Sequence, residues 1–502
     1  MADDSKRRPL WFRRITGIKP VSVIAFLIGV TVILAAKPFT HAESGDDSIY
    51  DYIAQSIVRG QLPYRDVIDP KTPGSSYLSA AAMFIGEKAG MRDIIAVRWL
   101  HVLMMGLLAA VTFLAGEMYF RNRLAGVIAF LIPLMINGFA PLVIRGTQPK
   151  LSMILFGMAS MLMIAAGRPF WAGLASMLSC LCWQPGLMFT GVAVLIFSRY
   201  LTSWRDLRAL KVIAGALIPV AILVSYFVWK GALGELWSWT IVYPYTVFAP
   251  ESASPLGESV ESFWGVIRRE LRWDTALVLV ALAGLVIYSA RRIACWIKCK
   301  ESIELFKDAL IFPAVIYLLF CIINFQNTPD LIPFLPFIGL FAAWLIIEGA
   351  QVVARMWPRA EFAIPATAII VIALLIGIRS RNSTRAEDEL SVQDEEARIV
   401  ASYLGPDDRI YVHGRSELLV LLKKPNLNKY IGLDTGADDY IARNKPNGFS
   451  DVIDEMEAGA PKVLAITRLR NVHHRDEIQS WIDQHYDKVR FGQLRGIYLR
   501  KP

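Results

Sequence analysis

The sequence predicts an α-helical polytopic membrane protein with a small α/β region at its C-terminal end. Three observations carry this. Hydrophobic residues form 55% of the 502-residue chain and charged residues only 19%, where a soluble protein carries roughly a quarter charged. The apolar residues gather into runs long enough to cross a bilayer, such as VSVIAFLIGVTVILAA from Val21 and FAIPATAIIVIALLIGI from Phe362. After Ile378 the composition turns polar, and strand-like runs alternate with helical ones. A soluble enzyme, a disordered chain and a nucleic-acid-binding protein are excluded. The net charge of +9 has a simpler origin, because loops kept in the cytoplasm retain Lys and Arg.

A bilayer core of about 30 Å takes about 20 apolar residues as helix. Such runs lie at 20–37, 94–118, 124–143, 150–166, 170–183, 186–200, 211–229, 274–291, 307–324, 330–348 and 361–379, about eleven transmembrane helices in all. Lys6, Arg7, Arg8, Arg13 and Arg14 precede the first, and no small-residue cleavage site follows it. The segment therefore reads as an anchor, not a cleaved signal. Gln184-Pro185 reads as a tight turn between two short helices. One kinked span there is the alternative, and it would reverse every later crossing.

Basic loops arbitrate. With the N-terminus cytoplasmic, Arg121–Arg123, Arg168, Arg199–Lys211, Arg291–Lys307 and Arg355–Arg359 all fall inside. The loops 38–93 and 230–273 then fall outside, and so does everything after the last span. Residues 1–382 form the expected transmembrane domain, and 383–502 an extracytoplasmic α/β domain. In the latter, RIYVHG from Arg409, KVLAI from Lys462 and VRFGQLRGIYLR from Val489 read as strands; ARIVASYL, DVIDEMEAG and HRDEIQSWIDQHY read as helices. Cysteine adds no framework. Cys180, Cys182 and Cys321 sit in apolar runs, and Cys295 and Cys299 at a basic end.

Within the first outer loop, SIYDYIAQSIV places Ile49, Tyr52, Ile53 and Ile57 on one helical face, with Asp51 and Gln55 on the other. That pattern suits a helix lying on the membrane surface. Ser44 and Asp47 can cap its start. A second amphipathic stretch runs from Ser75 to Lys88.

The chemistry concentrates in ESGDDSIYDYIAQSIVRGQLPYRDVIDPKTPGSSYL, Glu43 to Leu78. Asp46 and Asp47 follow the first span directly; Asp69-Pro70-Lys71-Thr72-Pro73-Gly74 comes later. A carboxylate there can take a proton from an acceptor hydroxyl, and a lysine can neutralise a lipid-linked phosphate. The same residues also serve as a helix cap and a headgroup anchor, so alone they decide nothing. Arg145 and Lys150 flank GTQP at an outer turn and offer charge for a phosphate, or snorkel to the headgroups. Arg98 and His101 share one face near the start of a span. Ionisable groups inside a span cost about 2.5–3.5 kcal/mol and usually face a functional interior. Both, with Asp69 and Gln184, are therefore possible lining residues. His413, His473, His474 and His485 lack a metal-ligand spacing and read as surface residues. The aromatics of WSWTIVYPYTVFAP suit the interfacial belt better than a sugar platform. No Walker loop, GxSxG, HExxH or nucleotide fingerprint is present.

The order of these features resembles the GT-C membrane glycosyltransferases. It looks closest to the branch of protein O-mannosyltransferase-like enzymes and lipid A aminoarabinose transferases. Asp46 matches the Asp of that branch's Asp-Glu pair, with Asp47 in place of Glu. Lys71 meets its Lys-Pro element, with Thr72 intervening before Pro73. The resemblance implies a polyprenyl-phosphate sugar donor and an acceptor hydroxyl on lipid, glycan or protein. It further implies inverting transfer at the outer face of the cell membrane, with Asp46 and then Asp47 as base candidates, and Lys71, Arg145 and Lys150 for the donor phosphate. A divalent metal at the acidic pair is possible, although no ligand spacing calls for one, and no other cofactor is expected. One departure stands out. NFQNTPDLIPFLPFIGL keeps Pro333 and Pro336, but where several members place a basic or aromatic residue ahead of them it offers Asn324, Gln326 and Asp330, and the positive charge is missing. The alternative reading is a non-enzymatic transporter or lipid-linked-sugar flippase, since spans broken by Pro133, Pro185 and Pro219 suit transporters too.

Overall fold

The structure, a computed structural model, describes residues 20–43, 45–136, 139–199, 206–298, 305–326, 328–383, 389–467, 469–491 and 494–502. Ser44, the basic N-terminal residues and Cys299 lie outside the described residues.

Helices occupy the expected apolar runs. They are α1 (Pro20–Ala35), α4 (Asp93–Phe120), α5 (Arg123–Met135), α7 (Pro149–Ala165), α8 (Pro169–Cys182), α9 (Leu187–Arg199), α10 (Arg208–Trp229), α11 (Thr275–Lys298), α12 (Ile311–Ile323), α13 (Leu335–Ala354) and α14 (Ala360–Ser383). Among the described residues, six apolar helical segments are long enough to cross a membrane, and five further apolar helices are shorter. The expected run 124–143 is broken: α5 ends at Met135, and a short α6 (Phe139–Ile144) follows. α8 and α9 meet at a 3₁₀ turn over Gln184–Gly186. They fold back on each other, Thr190 Oγ1 donating to Ser176 Oγ at 2.9 Å, so the pair is a hairpin rather than one kinked helix.

Arginine–carboxylate pairs mark both ends of the bundle. At one end Arg292 pairs with Asp308 (2.7 Å) and Arg291 with Glu348. At the other, the Arg379 guanidinium forks onto both oxygens of Asp274, each at 2.8 Å. That second end carries α2 (Gly45–Val58), α3 (Gly74–Lys88), the aromatic segment 233–271 and the C-terminal residues.

α2 corrects the expectation of a surface helix. Its polar face is not in water: Asp51 and Gln55 are buried. Gln55 Nε2 donates to Asp93 Oδ2 (2.9 Å) and to the Val420 carbonyl (3.1 Å). The helix is thus clamped between membrane helices and C-terminal residues. α3 buries Ser75, Ser76 and Ser79 and turns Phe84 and Ile85 outward, as hydrocarbon surroundings allow.

The C-terminal sheet runs β1 (Ile410–His413), β2 (Val463–Ile466), β4 (Leu494–Arg500), β3 (Tyr486–Phe491) in space. β1 and β2 are parallel; the other pairings are antiparallel. The run from Val489, read as one strand, is two strands of a hairpin. Side chains alternate between faces along a strand, and both faces are covered. Ile410, Val412, Val463 and Ala465 pack with Tyr52, Ile53 and Ile94, and with helix α15 (Glu389–Ala401) through Leu390 and Val400. Tyr411, Leu464 and Ile466 share a second cluster with Tyr64, Phe227, Trp239 and Tyr243. The sheet therefore shares apolar cores with the first loop and the aromatic segment.

Candidate active site

A cavity of about 810 Å³ opens where five stretches of chain meet: the first loop, the aromatic segment, the Phe325–Gln326 turn, and the C-terminal stretches 431–437 and 470–473. Asp46 and Lys71 both face it.

Asp46 and Asp47 occupy the first turn of α2, where the helix dipole favours negative charge. Asp46 is exposed to the cavity. Asp47 is half-buried and accepts from Gln148 Nε2 at 3.2 Å. Burial, with Asp46 and Asp51 close by, pushes the Asp47 carboxyl well above the usual range, against the opposing charges of Arg145 and Lys150. One turn on, Asp51 accepts the Thr147 N–H at 3.0 Å and also its hydroxyl. Glu43 completes this acidic group. Burial raises both Glu43 and Asp51. A proton held on Glu43 and offered to Asp51 satisfies oxygens that otherwise lack partners, Glu43 Oε2 and Asp51 Oδ2. The backbone of Gly146 comes right against the group: a Cβ there would sit 2.7 Å from Asp51 Oδ2 and 3.1 Å from Glu43 Oε2.

The lysine turn is braced from several directions. Asp69, fully buried, accepts the Lys71 N–H at 2.8 Å, and burial lifts its carboxyl to about 7. Tyr64 donates to the Lys71 carbonyl (2.8 Å), and Gln184 Nε2 to the Pro70 carbonyl (2.9 Å). The Lys71 ammonium bonds the Tyr50 hydroxyl and lies 4.4 Å from that ring's centroid. Burial and the Lys150 charge lower its pKa. An anion placed there would relieve both the crowding of like charge and the desolvation.

The other sequence candidates stand behind this wall. Arg98, wholly buried, bonds Glu43 Oε1 (3.0 Å), the Pro38 carbonyl (3.1 Å) and the Arg145 carbonyl (3.0 Å). His101 Nδ1 donates to the Val97 carbonyl (2.9 Å), and its Nε2 accepts the Gln148 N–H (2.9 Å). Both hold the GTQP turn in place; neither lines the cavity, contrary to the reading of them as lining residues. Gln184 likewise braces from outside. Arg145 is half-buried and near Asp47 without lining the cavity. Lys150 is buried and ion-paired with Asp330 at 2.7 Å. Lys150, in the first turn of α7, thus lies beside the stretch before Pro333, its charge balanced by Asp330.

Two expectations hold only in part. Trp239 and Tyr243 are buried, line the cavity and pack on Tyr440, edge-on and tilted, with centroids 5.3 Å apart in each case; Trp237 and Tyr245 remain exposed as a belt would require. His473 is a cavity residue, and His413 is buried. Sequence reasoning missed Glu43, Tyr50 and Thr147 as site-forming residues, and gave Asp51 a solvent-facing role. Asp47 and Asp51 are four apart and so share a helical face, a signal that was available. Nothing local in the sequence joins His473 to Asp438 and Asp439, the described residues grouped closely enough to share an ion.

Beside the cavity lies an apolar pocket walled by Phe263, Ile267, Leu271, Leu285, Phe334 and Phe341 among others, with no polar lining residue. Phe263 packs on Phe325 at 5.2 Å, so the two spaces share a wall.

No protein-family profile matches the chain. A dolichol phosphate-mannose mannosyltransferase of Haloferax volcanii is 26% identical over 273 residues, 53% of this chain. The match spans only 56% of that protein's length. Among solved structures, ArnT from Cupriavidus metallidurans bound to undecaprenyl phosphate superposes with a TM-score of 0.63 at 11% identity, covering 95% of this chain and 97% of that one. The archaeal oligosaccharyltransferase AglB from Archaeoglobus fulgidus, in complex with an inhibitory peptide and a dolichol-phosphate, gives 0.51 at 12%, covering 89% and 69%. The fold is that of ArnT and AglB, the GT-C fold.

Proposed function

We propose that this chain of GT-C fold is a membrane glycosyltransferase that moves a sugar from a polyprenyl-phosphate donor to an acceptor hydroxyl. The observation that carries the reading is a pair of adjoining spaces. One is polar and holds Asp46 and Lys71; the other, about 50 Å³, is wholly apolar. A lipid phosphate sets its head against charge, and the small apolar pocket takes only the first carbons of its tail, the rest lying in the bilayer. In the reaction the acceptor oxygen attacks the anomeric carbon as the bond to phosphate breaks. Its proton passes to Asp46, and the departing phosphate keeps the bonding pair beside the Lys71 charge. A single displacement inverts the anomeric carbon. Asp47, held by Gln148, serves second, and Arg145 and Lys150 add positive potential from behind. The fold similarity to an undecaprenyl phosphate-bound transferase supports this reading, as does the mannosyltransferase relative.

The same reading places residues 1–382 in the cell membrane with the N-terminus cytoplasmic, and 383–502 outside as a separate domain covering the site. Purified protein in lipid, given polyprenyl-phosphate sugars and acceptor glycolipids or peptides, should release polyprenyl phosphate in step with glycosylated acceptor. Movement of intact donor across the bilayer without any such release would make it a flippase instead.

A further inference from the structure

Away from the acidic pair, at the C-terminal side of the cavity, three residues converge. His473 Nδ1 lies 3.7 Å from Asp438 Oδ1 and 3.1 Å from Asp439 Oδ2. Two ligands of one ion, each bonded at about 2.0–2.2 Å, sit at such separations. Asp438 is wholly buried. Its Oδ2 accepts the His474 N–H at 2.9 Å, but its Oδ1 has no hydrogen-bond partner among the described residues. That oxygen points towards the imidazole from too far for a hydrogen bond. An ionised carboxylate left half-satisfied in a buried place is costly, and a cation is what would settle it.

The surroundings are arranged to match. His474 holds Asp439 from its other side, Nε2 to Oδ1 at 3.3 Å, and is itself held by Glu477 at 2.8 Å. The ring of His474 lies flat on Phe449, with centroids 4.3 Å apart. Orienting contacts of this kind around ligating groups are usual at metal sites. Across the cavity mouth, Glu251 of the aromatic segment approaches His473 Nε2 at 3.9 Å.

We infer that Asp438, Asp439 and His473 form a binding site for one divalent transition-metal cation on the cavity wall. Two carboxylates with an imidazole suit zinc or manganese better than calcium, which takes oxygen ligands alone. The ion joins the start of the helix Ala437–Arg443 to the turn at 473–474, and so ties together two stretches whose neighbouring residues line the cavity. This site is independent of the proposed transfer chemistry.

The test uses the full-length protein, stripped with chelator and dialysed against Zn²⁺ or Mn²⁺. We expect about one retained ion per chain by elemental mass spectrometry and a melting temperature raised by the metal, as ligand linkage requires. Asp438→Asn and His473→Gln should each lose the retained ion and the thermal shift, while His485→Gln should keep both. Wild-type protein that retains no ion and shows no shift would overturn the inference, whether or not the variants fold. Retention and shift undiminished in Asp438→Asn and His473→Gln would also overturn it, since the ion then sits elsewhere.

Discussion

Asp46 and Asp47 are neighbours in sequence but not in circumstance. Asp46 faces the cavity; Asp47 is held by Gln148 at 3.2 Å. Asp46→Asn keeps shape and capping oxygen and removes basicity, so turnover should fall about 10²–10⁴-fold in a folded protein. Asp47→Asn should lose less, and sugar-transfer rates showing the reverse order would exchange their roles. Asp69 gives a pH dependence. Its carboxyl is raised from 3.8 to about 7, so the fold penalises the charged form. That stability is intact below the unfolded pKa and is lost as pH rises through about 7. Asp69→Asn, still able to accept the Lys71 N–H, should therefore gain in melting temperature over wild type from pH 4 to 7 and level off above. A gap that stays constant across that range would show that Asp69 keeps its charge on folding. Arg98 tests the buried pair. Arg98→Met leaves Glu43 Oε1 and the Pro38 and Arg145 carbonyls without their buried donor and should cost about 1–3 kcal/mol; an unchanged melting curve would make these bonds energetically idle. The first loop was legible as a reactive stretch because its charges lie close in sequence. The partners that decide each charge's state, Thr147 for Asp51 and Asp330 for Lys150, lie far along the chain and could not be read from it.

At the scale of elements, apolar run length located the membrane helices because it is a local property. Boundaries moved where packing intervened, as where α5 stops at Met135. Helix partners were not legible, since every apolar face looks alike to lipid. The α8–α10 crossing shows what sets one. A Cβ on Gly173 would lie 1.9 Å from the Val212 carbonyl oxygen, and one on Gly215 2.0 Å from that of Phe170. The two backbones touch through glycine, a device that lets transmembrane helices approach closely. Gly173→Val should cost at least the 1–3 kcal/mol typical of overpacking. Gly191→Ala on α9, with nothing within 4 Å of its added methyl, should be nearly silent. Equal thermal shifts in detergent for the two would remove the close crossing as a cause.

The whole molecule depends on a docking that no local pattern announced. Periodicity foretold strands and helices after residue 383, yet α2 read as a helix facing water because its polar residues line up on one side. They do line up, and the C-terminal residues cover them. Ser48 on α2 and Ser416 beyond β1 are both buried, with hydroxyls 2.9 Å apart. Glu43 and Gln393 exchange bonds at 2.9 and 2.8 Å, and Arg92 forks onto Asp394 at 2.8 and 2.7 Å. The C-terminal residues seated in this way supply part of the cavity wall, so the docking is a condition of the site. Cysteines at 48 and 416, in a chain otherwise freed of cysteine, lie within disulfide reach. If these residues face an oxidising compartment outside the cytoplasm, the bond should form in cells without added oxidant, seen as a cross-linked peptide by mass spectrometry. Transfer activity should survive, because the bond fixes an arrangement the chain already holds. A pair that stays reduced in cells yet closes with oxidant in purified protein would keep the docking and reverse the proposed orientation. A pair that closes in neither setting would mean that the C-terminal residues do not rest on α2.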